Sequence, residues 1–299
     1  MLDICIIGAP KCGTSSLFRW LTAHPEISGP KKGKELFFFM DSGHPLAKEP
    51  NVNTVPAVYY SSLFPEGSSR TVEGTTHYLF QQTARRYLSS MKSEPIIVTL
   101  LRDPAHRVWS SYRYTKNNLA RVDPSLSFAR YVRLSLNGEA ERISNFVSDP
   151  GSAHVLSRDV EYSKYVKYLT SWKQCLSHDR LLLFQFSNLV EDPKSLCSRL
   201  VSAVGVGTSF FSNFRFNTKN STYETKSSYL HSLARQVARW MPDGKIKKYV
   251  KQAYMGVATS ESVSASEEDK QALRRLREYY RPYNQRLSRE FGIDVSSWK

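Results

Sequence analysis

Near the N-terminus, Gly8-Ala9-Pro10-Lys11-Cys12-Gly13-Thr14-Ser15-Ser16 carries residue types that hold a phosphate. Glycines let the backbone approach an anion, N–H groups at a helix start point at it, and the hydroxyls of Thr14, Ser15 and Ser16 add donors. In the nucleoside triphosphatase pattern GxxxxGK[ST] a lysine follows the second glycine; here Thr14 stands there and the lysine sits inside the loop, at Lys11. The second constellation is Leu100-Leu101-Arg102-Asp103-Pro104-Ala105-His106-Arg107-Val108-Trp109-Ser110-Ser111-Tyr112. Arg102 closes an apolar run, where open α/β sheets bind ligands. Ser110 lies about two helical turns further on, so the pair can reach one anion, and a guanidinium suits a terminal phosphate. An arginine at that strand end, where magnesium would need a carboxylate, argues against metal-dependent phosphoryl transfer.

These groups need elements to hold them. Ile4-Cys5-Ile6-Ile7 reads as a buried strand ending at Gly8, and residues 15–24 as a helix with Leu17, Phe18 and Leu21 on one face. Residues 70–73 form a weak strand, 96–101 the strongest one, followed by helix to about residue 117. Tyr162, Tyr165, Val166, Leu169, Trp172 and Leu176 recur at helical spacing, and 181–186 is a fourth strand. Strands alternating with helices predict an α/β fold, a P-loop-like three-layer α/β/α domain with a central, mainly parallel sheet. Residues 40–69 read as a long loop region, 122–159 as short helices with loops and 210–228 as polar without a clear period, and the last helix opens near Ser266 and is interrupted at Pro282. With no repeat and no linker, residues 1–299 are expected to form a single domain.

The chain has 42 Lys and Arg against 27 Asp and Glu, a net charge of +15, so its partner is expected to be anionic. Four cysteines without a CxxC pair exclude a disulfide scaffold and disfavour structural zinc, and no window is long and apolar enough to span a membrane. Taken with the motifs, the chain resembles the sulfotransferase superfamily that uses 3′-phosphoadenosine 5′-phosphosulfate. RDPAHRVWSSY fits that family's RDPxxRxxSxY stretch, and Lys34-Glu35-Leu36-Phe37-Phe38-Phe39 is similar to the KExxFF segment of heparan sulfate and related carbohydrate sulfotransferases. Asn188-Leu189-Val190-Glu191-Asp192-Pro193, and Tyr280-Arg281-Pro282-Tyr283-Asn284 with Leu287 and Trp298, resemble later family segments.

The resemblance implies in-line transfer of a sulfuryl group from the phosphosulfate co-substrate to an acceptor hydroxyl or amine, with no metal required. Lys11, Cys12, Gly13, Thr14, Ser15 and Ser16 would hold the 5′-phosphosulfate, Arg102 and Ser110 the 3′-phosphate, and Lys226 or Lys219 would close over the nucleotide. Lys11 would stabilise charge on the leaving oxygen, and Glu35 would be the general base. Where heparan-type enzymes show EKTPxY, this chain reads Glu73-Gly74-Thr75-Thr76-His77-Tyr78, with Gly74 at the lysine. Either that lysine is dispensable or another residue substitutes, and His77 is a second candidate base. The acceptor is expected to be a carbohydrate, with a small hydrophobic alcohol or natural product as the alternative; Trp109, Tyr112 and Tyr114 line its pocket or belong to the core. Residues 213–251, with nine basic and two acidic side chains, suit an acidic polymer. A P-loop kinase and a basic module binding nucleic acid or glycosaminoglycan are the remote alternatives; no nucleic-acid partner is expected. A chain complete at Met1 is expected in the cytoplasm, and a trimmed one in the Golgi lumen.

Overall fold

The computed structural model describes residues 2–177, 179–217, 224–225, 259–260 and 265–298. Its centre is a five-stranded sheet with flanking helices. The strands are β1 (Ile4–Gly8), β2 (Ile27–Ser28), β3 (Arg70–Glu73), β4 (Ile96–Leu101) and β5 (Leu181–Gln185). Their spatial order is β2-β3-β1-β4-β5, and every neighbouring pair is parallel. All five residues of β1 and the last five of β4 are buried, as expected of continuous apolar runs covered on both faces.

The order reverses at β1. The chain leaves β1 to build β2 and β3 on one side, then returns to lay β4 and β5 on the other. A parallel sheet opens a crevice at the carboxyl ends of the two strands flanking such a reversal. Here those strands are β1 and β4, which end in Gly8 and in Leu101, next to Arg102. The β1–β4 register runs from Ile4 opposite Ile96 to Ile6 opposite Val98, then shifts before Gly8.

The chain divides into two compact units. The first comprises Met1–Arg107, Tyr162–Asn220 and Tyr280–Lys299 and contains the sheet. Its helices include α1 (Thr14–Leu21), α2 (Gln82–Ser89), α6 (Tyr165–Lys173), α7 (Phe186–Glu191) and α8 (Pro193–Ala203). The second comprises Val108–Glu161 and Ser221–Tyr279. It holds most of α3 (Pro104–Arg113), α4 (Phe128–Leu136) and nearly all of α5 (Pro150–Tyr162), with a short antiparallel pair, β6 (Glu224–Thr225) and β7 (Thr259–Ser260). Within it, Ser127 caps α4 by accepting from the Arg130 N–H at 3.2 Å, and the Tyr131 hydroxyl donates to the Leu156 carbonyl at 3.0 Å.

A two-residue strand such as β2 is too short for a period, and sequence reading passed over it. Residues 40–69 contain a 3-10 stretch, Ala57–Leu63, and α3 continues as a π-helical stretch, Tyr114–Asn118. Pro282 does not interrupt the last helix: α9 runs through it from Glu267 to Phe291. A proline removes one intrahelical hydrogen bond, and the buried Leu276, Tyr280 and Leu287 on either side supply packing that offsets it.

Candidate active site

The loop after β1 is shaped by two left-handed residues, Lys11 at φ 67° and Gly13 at φ 86°. The Gly13 carbonyl accepts from the Ser16 and Leu17 N–H groups at 3.0 and 3.2 Å, which starts α1. Gly13 also has no room for a side chain, since a Cβ there would lie 2.3 Å from Leu189 Cδ2. Thr14 and Ser16 are buried, Ser15 is exposed and Lys11 is half-buried. Cys12 is fully buried. Burial pushes its thiol up, and Arg107, Arg102 and Lys11 pull the other way, so three cations act on the loop interior.

Glu35 and Lys34 meet this loop. Lys34 Nζ lies 3.0 Å from Glu35 Oε1 and donates to Thr14 Oγ1, the first residue of α1, at 3.3 Å. Thr76 Oγ1 donates to Glu35 Oε1 at 2.9 Å. Burial raises the Glu35 carboxyl, but the Lys34 ammonium, the hydrogen bonds from Lys34 and Thr76, and His77 outweigh it and hold it below its ordinary value. From sequence, Lys34 is only one of three lysines that could pair with Glu35, and the signal for it lies at Gly74. A Cβ at Gly74 would fall 2.8 Å from Lys34 Cγ, so the glycine makes room for the lysine stem. His77 is buried in the 3-10 stretch Thr76–Phe80, its ring 6.5 Å from His44, 5.9 Å from Phe80 and 6.2 Å from Tyr162.

Behind Glu35 lies a fully buried carboxylate, Glu73, at the end of β3. Tyr60 Oη donates to its Oε2 and Thr75 Oγ1 to its Oε1, each at 2.5 Å, and the Tyr78 hydroxyl and the Leu36 N–H nearby also favour its charged form. Burial pushes Glu73 up to about 7 against those hydrogen bonds. The titratable groups facing it are Cys5, Tyr60 and Tyr78, each raised first by burial and also by Glu73. The folded chain therefore keeps a proton that the unfolded chain releases near 4.5. The associated stability is fully present below that value and is lost as pH rises through about 7, a difference of roughly 3 kcal/mol. Urea midpoints between those pH values are expected to carry this fall, and Glu73→Gln to remove it from the profile.

The two motifs meet through Tyr165. Its hydroxyl donates to the Arg102 carbonyl at 3.0 Å and lies 3.8 Å from Cys12 Sγ. The Arg102 guanidinium stands over the Phe186 ring at 4.8 Å from the centroid, and a Cβ at Gly13 would sit 3.2 Å from the same ring. A cavity of about 270 Å³ opens there, lined among others by Arg102, Gln185, Phe186, Ser187 and Trp298. Ser110 is half-buried on α3 and belongs to the second unit. There too Tyr112 is core, its hydroxyl donating to the Leu126 carbonyl at 2.5 Å, and Trp109 packs edge-on to Phe128, whereas Tyr114 is exposed. Lys219, Lys226 and most of the basic stretch 213–251 lie outside the described residues. Among the described residues, no cluster of three or more His, Cys, Asp or Glu could hold a metal ion, and no helix is long and apolar enough to cross a membrane.

A parallel sheet with a glycine-bearing strand-to-helix loop at its reversal point, faced by an arginine from the next strand, defines an α/β protein of the phosphate-loop class. Residues 2–273 match the sulfotransferase domain family, and the chain belongs to that family. The bifunctional heparan sulfate N-deacetylase/N-sulfotransferase 1 of Caenorhabditis elegans is 27% identical over 202 residues, 66% of this chain and 21% of that one. The mouse heparan sulfate glucosamine 3-O-sulfotransferase 3A1 is 24% identical over 298 residues, 97% of this chain and 63% of that one. The chain thus spans about a fifth of the first relative and under two thirds of the second. A crystal structure of a sulfotransferase from Alicyclobacillus acidocaldarius shares the fold, with a TM-score of 0.65, 20% identity and coverage of 100% and 98% of the two chains.

Proposed function

We propose that this protein transfers a sulfuryl group from 3′-phosphoadenosine 5′-phosphosulfate to a hydroxyl or amine of an acidic carbohydrate. The observation that carries this reading is the Glu35–Lys34 pair set against Thr14, which puts a carboxylate and a second ammonium at the mouth of the Lys11 loop. The donor supplies an activated sulfuryl group on a good leaving group. The chain's own residues do the rest. N–H groups and hydroxyls of residues 12–16 bind the 5′ end, Arg102 binds the remaining phosphate, and the cavity beside Phe186 and Trp298 takes the base. Lys11 and Lys34 place positive charge where negative charge develops, with Lys34 in the space that Gly74 leaves open. Glu35, ionised at neutral pH, takes the acceptor's proton, and His77 flanks the acceptor. The carbohydrate class is supported by the named activities of the relatives and by the +15 charge. The matched span draws on both units, which supports reading 1–299 as one sulfotransferase domain.

Calorimetric titration with 3′-phosphoadenosine 5′-phosphate tests the donor assignment. Wild type is expected to bind it, and Lys11→Ala or Arg102→Ala to weaken binding by about ten- to a hundredfold, the worth of one charged hydrogen bond. ATP with magnesium should bind weakly. Equal binding of ATP that depends on magnesium, or no bisphosphate binding, would return the chain to a kinase or a basic binding module.

A further inference from the structure

We propose that Glu73 is a positioning residue for Glu35, acting through Thr75 and Tyr78 on the backbone amides of residues 36–39. The role assigned to Glu35 rests on the proposed function; the holding network does not. Residues 35–39 lie outside any helix or strand, and Phe37 adopts a left-handed φ of 54°. Their amides bond to side chains instead. Leu36 and Phe37 N–H donate to Thr75 Oγ1 at 2.9 and 3.1 Å, and Phe38 and Phe39 N–H donate to Tyr78 Oη at 2.8 and 3.1 Å.

A hydroxyl has two acceptor positions and one proton to give. Each of these oxygens accepts two amides, so its proton must go to a further acceptor. For Thr75 that acceptor is the Glu73 carboxylate, at 2.5 Å, and the Tyr78 hydroxyl acts on the same carboxylate. Once ionised, above about pH 7, the Glu73 carboxylate suits the place because it accepts several hydrogen bonds and donates none, whereas an amide side chain would aim N–H groups at oxygens whose lone pairs are already used. The saturated network fixes the backbone immediately after Glu35, and Thr76, beside Thr75, donates to the Glu35 carboxylate. A carboxylate acting as a base tolerates little displacement, since a shift of ~1 Å costs up to ~100-fold in rate.

The test combines kinetics with amide exchange. Thr75→Val keeps the side-chain shape and removes the hydroxyl. It is expected to lower kcat by about 10- to 100-fold, to leave bisphosphate affinity within twofold, and to speed exchange at the Leu36 and Phe37 amides. Tyr78→Phe should speed exchange at Phe38 and Phe39, and Thr75→Ser should restore kcat and protection together. Tyr131→Phe, which removes a buried hydroxyl in the second unit, controls for loss of stability and should leave kcat unchanged. Unchanged kcat in Thr75→Val, wild-type protection at 36–37 in that variant, or bisphosphate affinity falling in step with kcat would overturn the proposal. If wild type transfers no sulfuryl group, the base assignment falls, yet slow exchange at 36–39 that Thr75→Val abolishes still supports the network.

Discussion

Glu35→Gln is expected to lower kcat by roughly a hundred- to ten-thousand-fold, the usual worth of a positioned base, while bisphosphate binding stays near wild type. That loss corresponds to about 3–5 kcal/mol of transition-state stabilisation. Glutamine keeps the size of the side chain and an oxygen for the Thr76 hydroxyl, but it cannot take a proton. The Lys34–Glu35 contact is partly exposed, at 16% and 29% of the two side chains, so its loss should cost little stability. A thermal midpoint close to wild type beside a collapsed kcat would separate chemistry from folding. The depressed pKa of Glu35 has its own consequence: the carboxylate is charged throughout the neutral range, so loss of activity by its protonation is expected only below the ordinary carboxylate pKa. Activity of Glu35→Gln within threefold of wild type would move the base elsewhere, with His77 first in line.

Gly13→Ala is expected to destabilise the fold by about 2–4 kcal/mol and to abolish bisphosphate binding. Two costs combine. At φ 86° a side chain meets its own backbone, at about 1–2 kcal/mol. The new Cβ also overlaps Leu189 Cδ2 at 2.3 Å and presses on the Phe186 ring at 3.2 Å, and Leu189 is almost fully buried, so relief must come from the loop itself. Moving the loop disturbs the Gly13 carbonyl that starts α1 and the amides proposed to bind the bisphosphate. Gly33→Ala separates the two costs, because Gly33 has a φ of 104° but nothing within 4 Å of a built Cβ. Denaturation of both variants in urea should show Gly33→Ala losing the strain alone. Equal losses would mean that Leu189 yields freely and that the loop is less tightly set than its contacts imply.

Much of what the proposed donor side uses was legible in the linear chain. Ile4-Cys5-Ile6-Ile7 and Ile96-Ile97-Val98-Thr99-Leu100-Leu101 are apolar runs whose composition demands buried strands, and each runs straight into its motif. A glycine loop between strand and helix needs only local geometry to become an anion site, so Lys11 and residues 12–16 could be placed by spacing. Pro282 shows the limit of local reasoning, since a proline that stops an isolated helix is carried within α9 where neighbouring turns are packed.

The acceptor side depended on contacts that no local pattern encodes. Lys34 reaches Thr14 and Glu35 where Gly74, forty positions away, lacks a side chain in the path of the lysine stem. Glu73 looks like an ordinary acidic strand end until folding buries it and turns Thr75 and Tyr78 toward amides 38 to 40 positions earlier in the chain. Tyr165 reads as a core aromatic, and only the packed structure joins its hydroxyl to Arg102 and Cys12. Local sequence was enough for four of the five strands, the loop after β1 and the strand ends beside it, because hydrophobic periodicity and backbone freedom act over a few residues. The tertiary structure alone decided which cation stands beside Glu35 and what holds that carboxylate in place, because saturating buried hydrogen bonds is a property of groups brought together from distant parts of the chain.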